Sequence, residues 1–113
     1  MTKEFHIGKN ALIFHLHGEI DQYAAAELKE KIDVEFESSH KRNLIIDLKN
    51  VDLMDSSGIG LIVGRYKLVS STGGKLAVCS ASDTVRKMLE LGGITKIIKH
   101  YKTLSDAEKA FTA

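Results

Sequence analysis

Proline is missing from this chain, cysteine occurs once, and neither sign of charge is in excess. Without proline, no segment can form a rigid polyproline linker, so glycine and polar clusters must punctuate the chain. A lone thiol, Cys79, cannot close an internal disulfide, and nothing in the sequence asks for an oxidising compartment. Sixteen Lys and Arg stand against fifteen Asp and Glu, a formal net charge of +1. Nucleic-acid binding rests on a basic surface that releases counterions from phosphates. No basic run here is longer than Lys41-Arg42, so nucleic acid is not expected as a partner. Long apolar stretches are also lacking. The longest, Gly58 to Gly64, is far too short to cross a bilayer, and Met1 to His6 carries no signal-like apolar run. The expectation is a cytoplasmic protein with no membrane partner.

What remains is ordinary globular material, with 43% hydrophobic and 27% charged residues. That balance argues against disorder, which needs low hydrophobicity and high net charge. The 113 residues suffice for one domain, taken as 1–113, with a core that needs no staples.

Periodicity sets out the elements. Ala11 to His17 reads as a strand ending at Gly18, with a short partner strand around Lys3 to Ile7 joined through Gly8-Lys9-Asn10. From Gln22 to Glu37 the period changes. Ala25, Leu28, Ile32 and Phe36 recur at three- and four-residue steps, which predicts an amphipathic helix. Asn43 to Leu48 is a near-continuous apolar strand of the kind covered on both faces. A second helix is expected from Ser57 to Ser71, with Ile59, Ile62, Val63, Tyr66 and Val69 on its apolar side and Gly73-Gly74 past its end. Lys75 to Cys79 reads as a buried strand, with Cys79 an inert core thiol. A third helix, capped by Ser82, turns Val85, Met88, Leu89 and Leu91 inward and stops at Gly92-Gly93. A weak strand at Lys96 to Lys99 and a last helix from Leu104 to Phe111, capped by Thr103 or Ser105, complete the chain. Alternating strands and helices imply an α/β domain with a mostly parallel or mixed sheet of four or five strands and about four helices. In such sheets function gathers where the carboxyl ends of strands meet helix starts.

Asp55-Ser56-Ser57-Gly58 occupies such a junction. Asp55 or Ser56 can cap the coming helix, and Gly58 and Gly60 remove bulk so that another molecule could approach the backbone. A helix start also tolerates an anion, although Asp55 would repel a phosphate on Ser56. Taken alone, the segment is a plain cap. Other chemistries fit less well. A dinucleotide site after Gly58 and Gly60 needs glycine at position 63, where Val63 stands, and an acid some twenty residues on, where Val78 and Cys79 stand. Gly64-Arg65 breaks the Walker pattern, and Met54 and Asp55 break the hydrolase elbow around Ser56 and Ser57. His15 and His17, two apart on one strand face, lack a third metal ligand. A histidine phosphocarrier stays open on these residues, and acid lability of its phosphoryl group would expose it. No catalytic residue, cofactor or metal is expected.

The stretch Met54-Asp55-Ser56-Ser57-Gly58-Ile59-Gly60-Leu61-Ile62-Val63-Gly64-Arg65-Tyr66-Lys67 resembles the signature of the anti-sigma factor antagonists, a group within the STAS domain family. Gly18-Glu19-Ile20-Asp21 resembles the family's Gly-Glu-Leu-Asp, while Gly73 to Cys79 and Val85 to Gly93 resemble its third strand and third helix. Gly64 to Lys67 and the Val78-Cys79 strand end point to the sporulation branch. The resemblance implies a single STAS-like domain that binds an anti-sigma factor, itself an ATP-dependent serine kinase, and thereby frees the sigma factor. It implies phosphorylation of Ser56 by that kinase and removal of the phosphate by a metal-dependent phosphatase. It also assigns Asp21, Gln22, Tyr23, Asp55, Ser57, Gly58, Ile59 and Gly60 to the kinase-binding surface, on a protein that is a monomer when free. Gln22-Tyr23 stand where members often carry His-His. Within the resemblance, a general stress-response antagonist and an interaction module without phosphorylation are the alternatives.

Overall fold

The computed structural model describes residues 4–111. Three short-range signals shape its middle: an Asp before each long helix, strands with long apolar runs, and glycines after the second and third helices. The chain runs β1 (Phe5–Ile7), β2 (Ala11–Ile20), α1 (Gln22–Ser39), β3 (Asn43–Met54), α2 (Ser56–Ser71), β4 (Leu76–Cys79), α3 (Asp83–Leu91), a 3₁₀ turn (Ile94–Lys96), β5 (Lys99–Tyr101) and α4 (Leu104–Ala110). The sheet has five strands in the order β1-β2-β3-β4-β5. β1 pairs antiparallel with β2, and the other pairs are parallel, so the sheet is mixed. Lys3, expected at the start of β1, lies outside the described residues.

One sheet face carries Leu12, Phe14, Leu16, Leu44, Ile46, Leu48, Leu76 and Val78, which pack with Ile32 and Phe36 of α1, Leu61, Ile62 and Val69 of α2, and Val85 and Leu89 of α3. Each large apolar side chain so buried contributes about 1.5–3 kcal/mol. The opposite face is smaller: Ala11, Ile13, Ile45 and Cys79 under Ala107 of α4. The helical stripe of α2 is broader than the sequence indicated, because Leu61 and Arg65 are buried as well. Arg65 Nε lies 2.8 Å from Asp33 Oδ1 of α1, an ion pair sealed between the two helices. Neither atom makes a directed hydrogen bond, so this contact is one of opposite charges in a poorly solvated seam.

Several expectations need correction. β2 does not end at Gly18 but runs to Ile20, because Gly18 adopts φ +77° and absorbs a register shift against β3. Only glycine takes that conformation without strain, so the residue that resembled a stop is a bulge. β3 likewise continues to Met54, with the apolar run giving way to Val51 and Met54 as inward residues. The last strand falls at Lys99–Tyr101, and residues 94–96 form a 3₁₀ turn that buries Ile94. Leu91 points outward at 84% exposure. It lies about 120° around the helix from Val85 at 100° per residue, off the buried stripe. His15 and His17 are separated by a register shift, and only His15 is held, by Asp47 on the neighbouring strand.

Asp47 is a buried carboxylate with a full set of partners. Its Oδ2 is 2.7 Å from His15 Nδ1, and its Oδ1 accepts from Lys49 N at 3.0 Å and from the Cys79 thiol at 3.8 Å. His6 stacks on His15 at 5.1 Å between ring centroids. Burial first, and the Asp47 carboxylate second, push the Cys79 thiol up to about 12. The thiolate is the reactive form. At pH 8 the folded protein should therefore leave a disulfide reagent such as DTNB unreacted for as long as it stays folded, and react once per chain in denaturant. Rapid native-state labelling would contradict the burial of this side chain.

Candidate functional site

β2 and β3 outrun the rest of the sheet side by side, and their ends are paired, Ile20 with Met54. Each strand is followed at once by an aspartate that caps a helix. Asp21 (φ −96°, ψ −172°) takes the N–H groups of Tyr23 and Ala24 on Oδ1 at 3.1 and 2.9 Å. Asp55 (φ −102°, ψ −167°) takes the N–H of Ser57 on Oδ1 at 2.7 Å. Such caps satisfy the orphan donors of the first turn and are worth about 1 kcal/mol each. The choice left open between Asp55 and Ser56 as cap falls to Asp55. A backbone hydrogen bond from Asp55 N to Ile20 O, 3.2 Å, joins the two loops into one platform.

Ser56 is thereby the first residue of α2, one position earlier than expected. Its side chain is exposed, and its hydroxyl makes no hydrogen bond among the described residues. Ser57 is half-buried. Gln22 and Tyr23 stand on the neighbouring helix start, with Tyr23 76% exposed. The platform thus brings Asp21, Gln22, Tyr23, Asp55, Ser56 and Ser57 to one end of the molecule.

The glycines divide. Gly58 is buried, and a methyl group there would lie 2.8 Å from Met54 Cβ and 3.3 Å from Ile20 Cγ2. Its missing side chain serves the seating of α2 on the two strand ends, not the approach of another molecule. Gly60 is exposed with nothing within 4 Å of an added methyl, so it does leave the surface flat. Ile59 is half-buried and packs toward Gly92 beyond α3. That contact sets the end of α3 against the first turn of α2, and the exposed Leu91 is the residue just before Gly92.

Sequence reasoning missed Leu91 and also Leu53, which is 44% exposed near the end of β3. A helical wheel turns Leu91 out, whereas simple alternation from Val51 would turn Leu53 inward. Leu53 faces out because β3 departs from alternation opposite the register shift between Gly18 and Glu19. Glu19 and Asp52 are exposed on the same strand ends, so four carboxylates with Asp21 and Asp55 belong to this end. The chemistry available is that of a docking surface, with a free hydroxyl at the positive end of a helix and acidic and apolar groups beside it. Gly58→Ala should lower unfolding free energy by about 1–3 kcal/mol through overpacking. Gly60→Ala should leave it unchanged or raise it by up to about 1 kcal/mol through helix propensity. Urea denaturation of both variants checks the division.

The STAS domain family profile matches residues 2–107. The anti-sigma F factor antagonist of Paenibacillus polymyxa is 37% identical over 93 residues, covering 82% of this chain and 80% of that protein. The anti-sigma-B factor antagonist of Bacillus subtilis is 36% identical over 90 residues, covering 80% and 81%. The structure of the anti-sigma factor antagonist SpoIIAA in its unphosphorylated form superposes with a TM-score of 0.80 at 25% identity, over 94% of each chain. The match over nearly the whole chain and the superposition of the mixed five-stranded fold agree: this chain belongs to the STAS domain family.

Proposed function

We propose that this protein is an anti-sigma factor antagonist whose binding is switched off by phosphorylation of Ser56. The observation that carries the reading is the Ser56 hydroxyl: exposed, free of internal hydrogen bonds, and beside a second helix start tied to its own by the Asp55–Ile20 bond. The relatives named for antagonism of anti-sigma F and anti-sigma-B factors, and the unphosphorylated SpoIIAA structure, support it. In this reading the partner is an anti-sigma factor that doubles as an ATP-dependent serine kinase. A metal-dependent phosphatase resets the switch, and the protein acts as a substrate, not an enzyme. Asp21, Gln22, Tyr23, Asp55, Ser57, Ile59 and Gly60 form the contact surface, with Leu53 and Leu91 as apolar additions. Gly58 supports it from inside.

The physics is local. A phosphoserine adds about −1.5 to −2 charge. At the start of α2 the helix dipole compensates it, so the fold bears little of the cost. The surface around it already carries Glu19, Asp21, Asp52 and Asp55, and a partner complementary to the bare hydroxyl meets added charge and desolvation. A penalty of about 3 kcal/mol weakens binding roughly a hundredfold. The sigma-B relative favours a second reading with the same switch but a general stress-response sigma factor downstream.

Incubation with the partner kinase and ATP, followed by peptide mass spectrometry, should place one phosphate on Ser56. Ser56→Ala should stay folded, resist phosphorylation and keep binding, while Ser56→Asp should bind more weakly. Amide shift changes on phosphorylation should stay within residues 20–24 and 53–60. Phosphate on Ser57, or none at all, would remove the switch, the latter leaving an interaction module without phosphorylation. Shifts spread through β4 and β5 would remove the charge-block account.

A further inference from the structure

A cavity of about 590 Å³ opens at the carboxyl ends of β4 and β5, between the starts of α3 and α4. Its volume lies within the roughly 300–1,000 Å³ range of small-molecule sites. Its position, outside the carboxyl ends of parallel strands, is where open α/β sheets hold ligands. Three cations line it, Lys49, Arg86 and Lys102. None of them takes part in an ion pair among the described residues. Of the two carboxylates in its wall, Asp47 is committed below the floor to His15, Lys49 N and the Cys79 thiol. Asp83 is the one left exposed. Positive charge on the rim therefore exceeds the negative charge free to meet it.

The neutral groups in the wall are donors too. His100 Nε2 accepts the N–H of Ala81 at 3.2 Å, so a neutral ring carries its proton on Nδ1. Burial, and then Arg86, hold the His100 ring below its ordinary pKa, which keeps it in that neutral form. Thr103 adds a hydroxyl whose oxygen accepts Asp106 N at 3.0 Å and whose proton is left to donate, while the Ser80 hydroxyl is engaged with the Cys79 sulfur. Ser80 is held at φ +60°, a left-handed conformation that non-glycine residues seldom adopt, and its N–H is fastened to Tyr101 O at 3.0 Å. Strain of that kind persists where the surroundings impose it, and here it fixes the lip of the cavity.

We propose that this cavity binds a small organic phosphate monoester, its dianion held by Lys49, Arg86 and Lys102 and by the donors of His100 and Thr103. Arg86 suits a phosphate because its planar fork can donate two parallel hydrogen bonds. A lone phosphate ion fills only a small part of the space, so the organic portion occupies the remainder. The site is formed from different residues than the Ser56 platform and does not depend on the reading of that platform.

The test is a ¹⁵N-amide NMR titration of the whole chain with glucose 6-phosphate, and in parallel with inorganic phosphate and glucose. Glucose 6-phosphate should give saturable shifts centred on Ser80, Ala81, Arg86, Lys102 and Thr103, bind more tightly than inorganic phosphate, and weaken as salt is added. Glucose alone should give none. Arg86→Gln and Lys102→Gln, both exposed positions whose spectra should report an intact fold, should each weaken binding about tenfold, a loss typical of one charge-assisted contact. Shifts that never saturate, that appear equally at Lys9 and Lys41, or that survive both substitutions would overturn the proposal. So would binding of inorganic phosphate as tight as that of the ester, since the cavity would then contribute nothing beyond charge.

Discussion

The parallel ladder between β2 and β3 is the constraint on which the functional end of this molecule depends. These two strands continue past the point where β4 leaves the sheet, and they do so in a register that ends with Ile20 beside Met54. A slip of one residue would turn every inward side chain of a strand outward, so the buried run Leu12, Phe14, Leu16 against Leu44, Ile46, Leu48 locks that register. The bulge at Gly18 then re-aims the last residues of β2 without breaking the pairing. Two aspartates consequently arrive next to each other, and each starts a helix. Everything proposed for Ser56 follows from that adjacency, since one helix start alone would offer a cap and little more.

The helices that leave this platform are held together away from it. Arg65 and Asp33 meet in the seam between α1 and α2, and Lys29 reaches the other oxygen of Asp33 at 3.4 Å. A buried pair of this kind seldom adds much net stability, because desolvation offsets the attraction. Removing one member is a different matter, as it leaves an uncompensated charge between two apolar helix faces. The pair is better understood as fixing how α1 lies against α2, and with it the spacing of Tyr23 and Ser56. On the opposite face, the small cluster under α4 leaves Asp47 and His15 to satisfy one another, and the open end of that face becomes the cationic cavity.

Much of this was legible in the chain. The period of α1, the continuous strand at Asn43 to Leu48, the cap at Ser82 and the terminating glycines are local signals, each carried by neighbours within one or two turns. The segment around Asp55 and Ser56 is legible for the same reason, and its resemblance to the STAS family adds to it. A local signal misleads where it has two meanings. Gly18 is a stop by composition and a bulge by conformation. Gly58 and Gly60 looked alike as two small residues in one turn, yet one faces Met54 and Ile20 and the other faces solvent.

The sequence by itself determined which stretches become the long helices and the buried strands, and that Asp55-Ser56-Ser57-Gly58 opens the second long helix. Those properties depend on periodic aversion to water and on side chains that reach their own backbone, both written within a few residues. Tertiary structure alone decided that Arg65 is sealed against Asp33, that Gly92 beyond α3 lies against Ile59 of α2, that the two aspartate caps share a platform, and that Lys49, Arg86 and Lys102 ring one cavity. Each of those joins residues distant in the chain. Their meeting is set by strand order and register, which no local pattern encodes.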